Sequence, residues 1–347
     1  MTATEGKGPG VGGWGPGAGR RALGARGRVR APARCVFATA CLAAVAVLLQ
    51  LPGGARGPQA PGRVPQRIVS IVPSATEVLF AIGAGPRVAA VGSFERFPPE
   101  VERLPRVGAL VDPDVERILS LRPDLVVVYA SQTDLRAQLG RAGIPVYVYT
   151  HGSLADITAG MRDLGARLGL AAQAESAAAA VERDLAAVRA SVAGLPRPRA
   201  LLVIGREPRA LRAITVSGGV GFLHDLLDLA GADNAFGDVP RESTMAATEA
   251  ILARRPDVII ELHYDERATE RDADLERLAW KALPGVPAVK NGRVHVLYGG
   301  AFVVPGPRVV LTARAFARLL HGVRSGIPSS GTASAPDAGI PDLTPVT

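Results

Sequence analysis

The sequence predicts an α/β protein whose two similar lobes are joined by one long helix. Short apolar segments alternate with helical patterns along the chain, which favours parallel sheets covered by helices. The segment "VERILSLRPDLVVVY" at 115–129 recurs without a gap as "TEAILARRPDVIIEL" at 248–262, so we expect one copy in each lobe. Between the copies, residues 171–192 are dominated by alanine and lack glycine and proline, and they predict one helix of about 30 Å.

The composition allows two hydrophobic cores and excludes one class of partner. A chain of 347 residues with 48% hydrophobic content can fill two cores of ordinary size. The formal net charge of +8 is concentrated in residues 1–55, which hold seven Lys or Arg residues and one acidic residue. Because the rest of the chain lacks basic clusters with interleaved aromatic residues, we expect no nucleic-acid partner.

Residues 1–55 have the features of an export signal. Arginines up to Arg34 precede an apolar run at 35–51, and the small residues Gly53 and Ala55 follow it. This order predicts export to the periplasm and removal of the leader, and an uncleaved leader that anchors the protein in the membrane is the alternative. Both cysteines of the chain lie in the leader, so the exported part is expected to contain no disulfide.

The first lobe is predicted to open with a buried strand at 67–72 and a helix after it. Ser74 and Glu77, three residues apart, predict a capping box at the start of this helix, and Gly83 predicts its end. The same alternation predicts strands at 87–91, 125–129 and 145–149, and helices at 113–121, 133–142 and 154–168.

The alternation resumes after the long helix. It predicts strands at 200–204, 211–216, 258–262 and 294–297, and helices at 220–230, 248–254 and 307–320. A Ser/Pro/Gly-rich tail predicts disorder at the end of the chain. The resulting division is a leader at 1–55, a spacer at 56–66, the first lobe at 67–169, the linker helix at 170–195, the second lobe at 196–322 and the tail at 323–347.

The repeated segment predicts the same local structure in both lobes. A short helix ends at Arg122 or Arg255, because the residue before a proline avoids the right-handed helical region. Pro-Asp then leads into a strand that is buried on both faces. A rigid helix between two such lobes is expected to limit how far they close on a ligand.

These features together resemble a known family. With "IVPSATEVLFAIGAG", "FPPEVERLPRVG", the duplicated Glu-x-Ile-Leu-x-x-Arg-Pro-Asp unit and a single central helix, residues 67–321 resemble the helical-backbone substrate-binding proteins of ABC importers for cobalamin, ferric siderophores and haem. The chain is most similar to the cobalamin-binding branch. The resemblance implies two Rossmann-like lobes joined by one α-helix, with a ligand held in the cleft between them.

The resemblance also implies a binding protein rather than an enzyme. It implies a monomer that captures a small-molecule ligand in the periplasm and delivers it to an ABC permease dimer in the inner membrane. The ligand is expected to be a cobalt- or iron-containing chelate carried as cargo, with no resident cofactor or metal. Because no tryptophan lies in the cleft-facing segments, a ferric siderophore or haem stays open beside cobalamin.

A pair of glutamates is implied to dock onto the permease. In the family, one glutamate on each lobe meets arginines of the permease dimer, and the matching positions here are Glu116 and Glu249. Mirrored carboxylates suit a two-fold symmetric partner. The alternative is that each is an acid in the first turn of a helix, where the helix dipole favours it.

The candidate ligand contacts follow from the position of ligands in open α/β sheets, which is beyond the carboxyl ends of the strands. The resemblance adds Phe97 and also supports Tyr129, because both match aromatic positions that flank the corrin ring in cobalamin binders. The complete set of candidates is Pro73, Ser74, Phe97, Tyr129, Ser131, Gln132, Arg206, His263, Tyr264 and Phe302.

Several of these candidates also have a structural interpretation. Tyr129 and Phe97 are equally consistent with aromatic residues that cover the core. His263 is a hypothetical ligand to cobalt or iron, or a hydrogen-bonded residue with no metal. Arg206 could bind a ligand carboxylate or phosphate, or form an exposed pair with Glu207. Arg308 and Trp280 are interpreted as structural.

An enzyme is the main alternative from another class. "SGGVGFLHDLL" at 217–227 places glycines before a helix, as in a phosphate-binding loop, although His224 stands where the third glycine of the dinucleotide motif belongs. The five histidines of the chain are scattered and predict no zinc site. An envelope sensor that presents the ligand to a receptor differs from the transport hypothesis only in its partner.

Overall fold

The computed structural model describes residues 63–265 and 267–323. The predicted leader, most of the spacer and nearly all of the tail lie outside these residues. Within the described part of the chain, no helix combines the length and the apolar character needed to cross a membrane.

The first lobe is a four-stranded parallel sheet with helices. The strands lie in the order β2-β1-β3-β4. Most residues of β1, β2 and β3 are buried, whereas three of the four residues of the edge strand β4 are half-buried. The elements are β1 (Ile68–Ser70), α1 (Pro73–Ala81), β2 (Val88–Val91), α2 (Val115–Ser120), β3 (Leu125–Tyr129), α3 (Thr133–Arg141), β4 (Val146–Tyr149) and α4 (Leu154–Arg167). The predicted alternation is confirmed, with small differences at the ends of elements.

The predicted capping box of α1 is wrong. The helix begins at Pro73, with Val72 as its N-cap and no side-chain cap. Proline suits this first position because its fixed φ is helical and its missing N–H has no partner there. The Ser74 hydroxyl instead hydrogen-bonds to the Tyr129 hydroxyl at 3.3 Å, and the Glu77 carboxylate pairs with Arg308.

The long helix α5 (Ala171–Ser191) is continuous, as predicted. Its buried residues, which include Ala174 and Val181, lie on one face, and the helix packs on α4. A Cβ at Gly165 of α4 would lie 2.1 Å from the Cβ of Ala174, so the two helices approach too closely for any larger residue. Arg162 of α4 adds ion pairs to Glu175 and Glu182 at 2.7 and 2.6 Å.

The second lobe has a mixed sheet rather than the purely parallel one predicted. The strand order is β10-β9-β5-β6-β8, with β7 paired to β5. The strand predicted at 211–216 is β6 at 215–217, and it runs antiparallel to both β5 and β8. The elements are β5 (Arg199–Gly205), β6 (Thr215–Ser217), α6 (Phe222–Leu229), β7 (Asp233–Asn234), β8 (Ser243–Met245), α7 (Thr248–Arg254), β9 (Val258–His263), α8 (Glu270–Ala279), α9 (Pro287–Lys290), β10 (Val294–Tyr298) and α10 (Val309–His321).

The two copies of the repeat form the same unit, α2–β3 in the first lobe and α7–β9 in the second. Arg122 and Arg255, before the prolines, have φ of 48° and 49°, so each helix ends in the left-handed region. The aspartates after the prolines then connect the start of the following strand to the start of the strand beside it in the sheet, β1 or β5. Asp124 accepts a hydrogen bond from the amide of Arg67 at 2.7 Å, and Asp257 accepts one from the amide of Arg199 at 3.0 Å.

Candidate functional site

A cavity of about 1000 Å³ lies between the lobes. Its size is at the upper end of the range of roughly 300–1000 Å³ for small-molecule pockets, which favours a bulky ligand. The first lobe contributes the segment after β2 and the second lobe contributes the segment after β9, so the cavity lies at the carboxyl ends of strands. The lining residues are Ser93, Phe94, Arg96, Glu102, Leu104, Arg106, Tyr264, Asp265 and Arg267.

One aromatic residue from each lobe lines the cavity, Phe94 from the first lobe and Tyr264 from the second. Phe94 is 51% exposed and Tyr264 is 37% exposed, so both present apolar surface to solvent. The Tyr264 hydroxyl donates a hydrogen bond to the backbone carbonyl of Phe94. A flat apolar ligand would find aromatic surface from both lobes in the wall of this cavity.

The cavity wall carries more positive than negative charge. Arg96, Arg106 and Arg267 line it, against the two acids Glu102 and Asp265. Arg106 donates to the carbonyls of Gly92 and Glu95 at 3.1 and 2.8 Å, and this fixes the loop after β2. The net positive charge favours ligands with anionic groups.

Glu95 lies behind this wall as a buried acid. It is 1% exposed, and its Oε1 has no hydrogen-bond partner among the described residues. Burial raises the pKa of Glu95 to about 7, although backbone hydrogen bonds and the charge of Arg106 act to lower it. The side chain is therefore partly protonated near neutral pH.

Glu95→Gln is expected to remove a pH dependence of stability. Because the pKa of Glu95 in the folded protein lies above the ordinary 4.5, the folded state binds the proton more tightly. The free energy of unfolding therefore falls as the pH rises from about 4.5 through 7. At pH 8 the variant should be more stable than the wild type by on the order of 1–3 kcal/mol, and urea unfolding at pH 5 and pH 8 measures this.

The control for this prediction is Glu100→Gln, which changes an exposed acid of the same segment. It should leave the pH dependence of the wild type intact. Parallel pH profiles for the wild type and Glu95→Gln would contradict the burial argument.

A second polar group of residues surrounds Tyr129 at the end of β3. Its ring lies 5.4 Å from the His151 ring and 6.4 Å from the Tyr149 ring, and burial raises the pKa of its hydroxyl. His151 has a buried Nδ1 without a partner in the described part of the chain. His151 is not among the predicted ligand contacts, although its position just after β4 matches that of Ser131 after β3.

Of the predicted ligand contacts, only Tyr264 lines the large cavity. Pro73 and the buried Ser74 belong to the first turn of α1, and Phe302 is buried in a 3-10 helix. Ser131 is exposed. The side-chain amide of Gln132 accepts a hydrogen bond from the Tyr129 amide at 2.9 Å and donates one to the Leu110 carbonyl at 2.8 Å. Its polar atoms are therefore hydrogen-bonded to the backbone.

The position of Arg206 requires a correction. Its side chain is fully buried, and its guanidinium pairs with Glu261 at 2.9 Å and with Glu276 at 2.6 Å. A group held by two buried carboxylates is not available to a ligand in the cleft. Glu207 instead pairs with Arg212 at 2.7 Å, so the predicted exposed pair between Arg206 and Glu207 is wrong.

The same network includes His263. Its Nε2 hydrogen-bonds to Oε1 of Glu261 at 2.8 Å, and its ring stacks on Tyr298 with centroids 4.7 Å apart. Burial acts to raise the pKa of Glu261, but hydrogen bonds from His263 and Trp280 and the charge of Arg206 hold it below its ordinary value. Within the described residues, no cluster of three or more His, Cys, Asp or Glu residues could hold a metal ion.

The structural interpretation of Trp280 and Arg308 is confirmed. Trp280 is fully buried and its Nε1 donates to Glu261 at 2.9 Å. Arg308 pairs with Glu77 at 2.6 Å and lies over the Phe97 ring, with the guanidinium carbon 4.0 Å from the ring centroid. One face of Phe97 is therefore covered by an arginine of the other lobe.

Glu116 and Glu249 are both exposed in the first turns of their helices. The side-chain cap of α2 is Asp114, which accepts a hydrogen bond from the amide of Arg117 at 2.9 Å. The Glu116 carboxylate is thus not needed to cap its helix. The two carboxylates occupy equivalent positions in the two copies of the repeat.

The glycines of the 217–221 segment have a packing role. A Cβ at Gly218 or Gly219 would lie 2.1 Å from a backbone carbonyl oxygen, and Gly221 has a φ of 92°. Only glycine fits at Gly218 and Gly219, because backbone atoms pack directly against them, and the positive φ of Gly221 also favours glycine. A smaller cavity of about 280 Å³ next to the start of α6 includes Gly221 and Phe222.

Comparisons with known proteins agree with this architecture. The family described as "Periplasmic binding protein" matches residues 68–299. A vitamin B12-binding protein of Pectobacterium carotovorum subsp. carotovorum is 27% identical over 271 residues, which is 77% of this chain and 92% of that protein. One from Salmonella typhimurium is 31% identical over 196 residues, 56% of this chain and 71% of that protein.

A solved structure shows the same arrangement. A periplasmic haem-binding protein from Pseudomonas aeruginosa matches with a TM-score of 0.63 at 26% identity, covering 74% of this chain and 93% of the other. These three relatives are named as binding proteins, and none of them is named as an enzyme.

Proposed function

The chain belongs to the periplasmic binding protein family, and we propose that it is the substrate-binding component of an ABC importer for a metal chelate. The observation that carries this proposal is the cavity of about 1000 Å³ whose wall is built from both lobes. A ligand in this cavity contacts both halves of the protein, so its binding favours the closed form over any more open one.

The proposed cargo is a corrinoid, with cobalamin first. The relatives named as vitamin B12-binding proteins support this choice. The aromatic residues Phe94 and Tyr264 provide surface for a flat macrocycle, and the arginines of the wall suit phosphate or carboxylate groups. Haem or a ferric siderophore is the second candidate, because a named haem-binding relative shares the fold and haem also combines a flat ring with carboxylates.

The proposed partner is an ABC permease dimer in the inner membrane. Glu116 and Glu249 support this proposal, since two exposed carboxylates on duplicated units match a partner with two-fold symmetry. Export through the leader at 1–55 would place the protein in the periplasm, where it acts as a monomer with no resident cofactor.

Calorimetric titration of the purified protein with cyanocobalamin, haem and ferric siderophores tests the proposal. Saturable 1:1 binding of one of these chelates is the expected result. If none of them binds while a nucleotide binds or is hydrolysed, the transport hypothesis is rejected in favour of the enzyme. If the protein binds a chelate but its removal leaves uptake through the permease unchanged, the result would instead support the hypothesis of an envelope sensor.

A further inference from the structure

One short segment of the second lobe, Pro305–Arg308, contacts the first lobe at three points. The Tyr149 hydroxyl donates to the carbonyl of Pro305 at 3.5 Å. Gly306 lies against Glu77 so closely that a Cβ there would be 2.8 Å from its Oε2. Arg308 then forms two hydrogen bonds with the same carboxylate, from Nη2 to Oε1 at 2.6 Å and from Nε to Oε2 at 3.1 Å.

The ion pair between Glu77 and Arg308 is shielded from water. The side chains are 3% and 17% exposed, respectively. A two-pronged pair of arginine and carboxylate has a defined geometry, and low exposure strengthens the attraction between the charges. Loss of one charge of such a pair is strongly unfavourable, because the other charge stays in a poorly solvated place. The pair therefore resists separation of the lobes at this point.

The same guanidinium also contacts the loop that forms the cavity wall. Arg308 lies over the ring of Phe97 at 4.0 Å, a distance at which a cation and an aromatic face attract each other. Phe97 ends the loop whose residues Ser93, Phe94 and Arg96 line the cavity. Arg308 thus contacts both Glu77, which helps to set the distance between the lobes, and Phe97, which belongs to the loop of the cavity wall.

We propose that Arg308 is a positioning residue that, through Glu77 and Phe97, holds the ligand-free protein with its lobes at the separation that ligand capture requires. Without this contact, the long helix and weaker contacts such as the hydrogen bonds of Tyr149 and Tyr264 would set the separation, and the lobes would sample wider openings. The ligand would then have to close the lobes at the cost of part of its binding free energy. The consequence for ligand binding rests on the proposed function, whereas the consequence for lobe spacing does not.

The test measures lobe spacing without ligand. Spin labels are attached to cysteines introduced at two exposed positions, Val111→Cys in the first lobe and Met245→Cys in the second, with Cys35 and Cys41 replaced by alanine. Electron–electron double resonance gives the distribution of distances between the labels. Arg308→Gln is expected to broaden the distribution and shift it to longer distances.

The matched control is Arg314→Gln. Arg314 lies on the same helix and pairs with Asp184 of α5 at 3.2 Å, with similarly low side-chain exposures of 13% and 22%. Arg314→Gln removes an ion pair between the second lobe and the linker helix α5 without touching Glu77 or Phe97, so the distribution should match that of the parent. Equal distributions for Arg308→Gln and the parent would overturn the proposal, as would an equal shift in Arg314→Gln.

Gly306→Ala keeps the charges of Glu77 and Arg308 and tests the contact between them by a steric change. Its added methyl group displaces the Glu77 carboxylate, and the distances should lengthen as in Arg308→Gln. This variant decides the question if Arg308→Gln does not fold, and an unchanged distribution in a folded Gly306→Ala overturns the proposal. Arg308→Lys should restore the distribution only in part, because lysine cannot form the two-pronged pair.

Ligand kinetics provide the second readout. With whichever chelate binds the wild type, the folded variants should bind about tenfold more weakly, mainly through slower association, because fewer molecules have a competent cleft. Wild-type affinity in a variant with widened lobes would overturn the link to capture. If the wild type binds no chelate, the proposed function fails while the measurement of lobe spacing stands by itself.

Discussion

Arg206→Met is expected to destabilise the protein by about 3–5 kcal/mol. The substitution leaves Glu261, which is fully buried, and Glu276, which is 7% exposed, without the cation that compensates both of them. Methionine has a similar reach but no charge, so the loss reports the uncompensated carboxylates rather than a large void. Urea unfolding of the two proteins at pH 7 measures the difference.

The control is Arg212→Met, made six residues further along the same segment. Arg212 pairs with Glu207 at 2.7 Å, but the side chains are 75% and 47% exposed, so the expected loss is below about 1 kcal/mol. The loss in Arg206→Met should shrink as the pH falls, because Glu261 without Arg206 takes up a proton more readily. Similar losses in both variants, independent of pH, would show that the network does not stabilise the fold.

Replacing both Glu116 and Glu249 by alanine is expected to weaken association with the permease by about 10- to 100-fold. Ligand affinity should stay within about twofold of the wild type, because both residues lie in exposed helix turns and neither lines the cavity. Binding to the permease in lipid nanodiscs, with and without added salt, measures the first effect. Calorimetry measures the second.

Asp134→Ala is the matched control for the docking prediction. It removes an exposed acid from the first turn of α3, outside the duplicated unit. Permease binding by this variant should equal that of the wild type. Unchanged association and uptake in the double variant would leave the two glutamates with no role beyond the helix dipole.

The sequence predicted the duplicated unit well because its rules are local. Arg255 is the C-cap of α7 and Arg122 directly follows the C-cap of α2, and a proline follows each of them. α7 spans Thr248–Arg254 as expected. The continuous α5 follows from a long stretch without glycine or proline. In each case, the residues that determine the structure are neighbours along the chain.

The antiparallel part of the second sheet was not predicted, because its pairing is not local. β6 is only three residues long, and its direction depends on pairing with β5 and β8. α8 was not predicted either, although Thr269 and Asp272 form a capping box at its start. A capping box of this kind marks the start of a helix in the sequence alone.

The candidate site was predicted less completely than the fold. Arg206 lies beside Glu207 in sequence, but its burial depends on Glu261 and Glu276, which folding brings from elements much further along the chain. The wall around Phe94 and Arg106 depends on hydrogen bonds from Arg106 to the carbonyls of Gly92 and Glu95, which only the path of the folded loop brings within reach. Only Tyr264 was placed at this cavity by the rule of strand ends.

The most direct test of capture between the lobes is hydrogen–deuterium exchange with and without a bound chelate. Binding should slow exchange in both lobes at once, at 93–106 in the first and at Tyr264, Asp265 and Arg267 in the second, because both segments contain residues that line the cavity. The segment around the smaller cavity, at 220–223, should be unaffected. Protection confined to one lobe, or centred on 220–223, would contradict capture in the cleft.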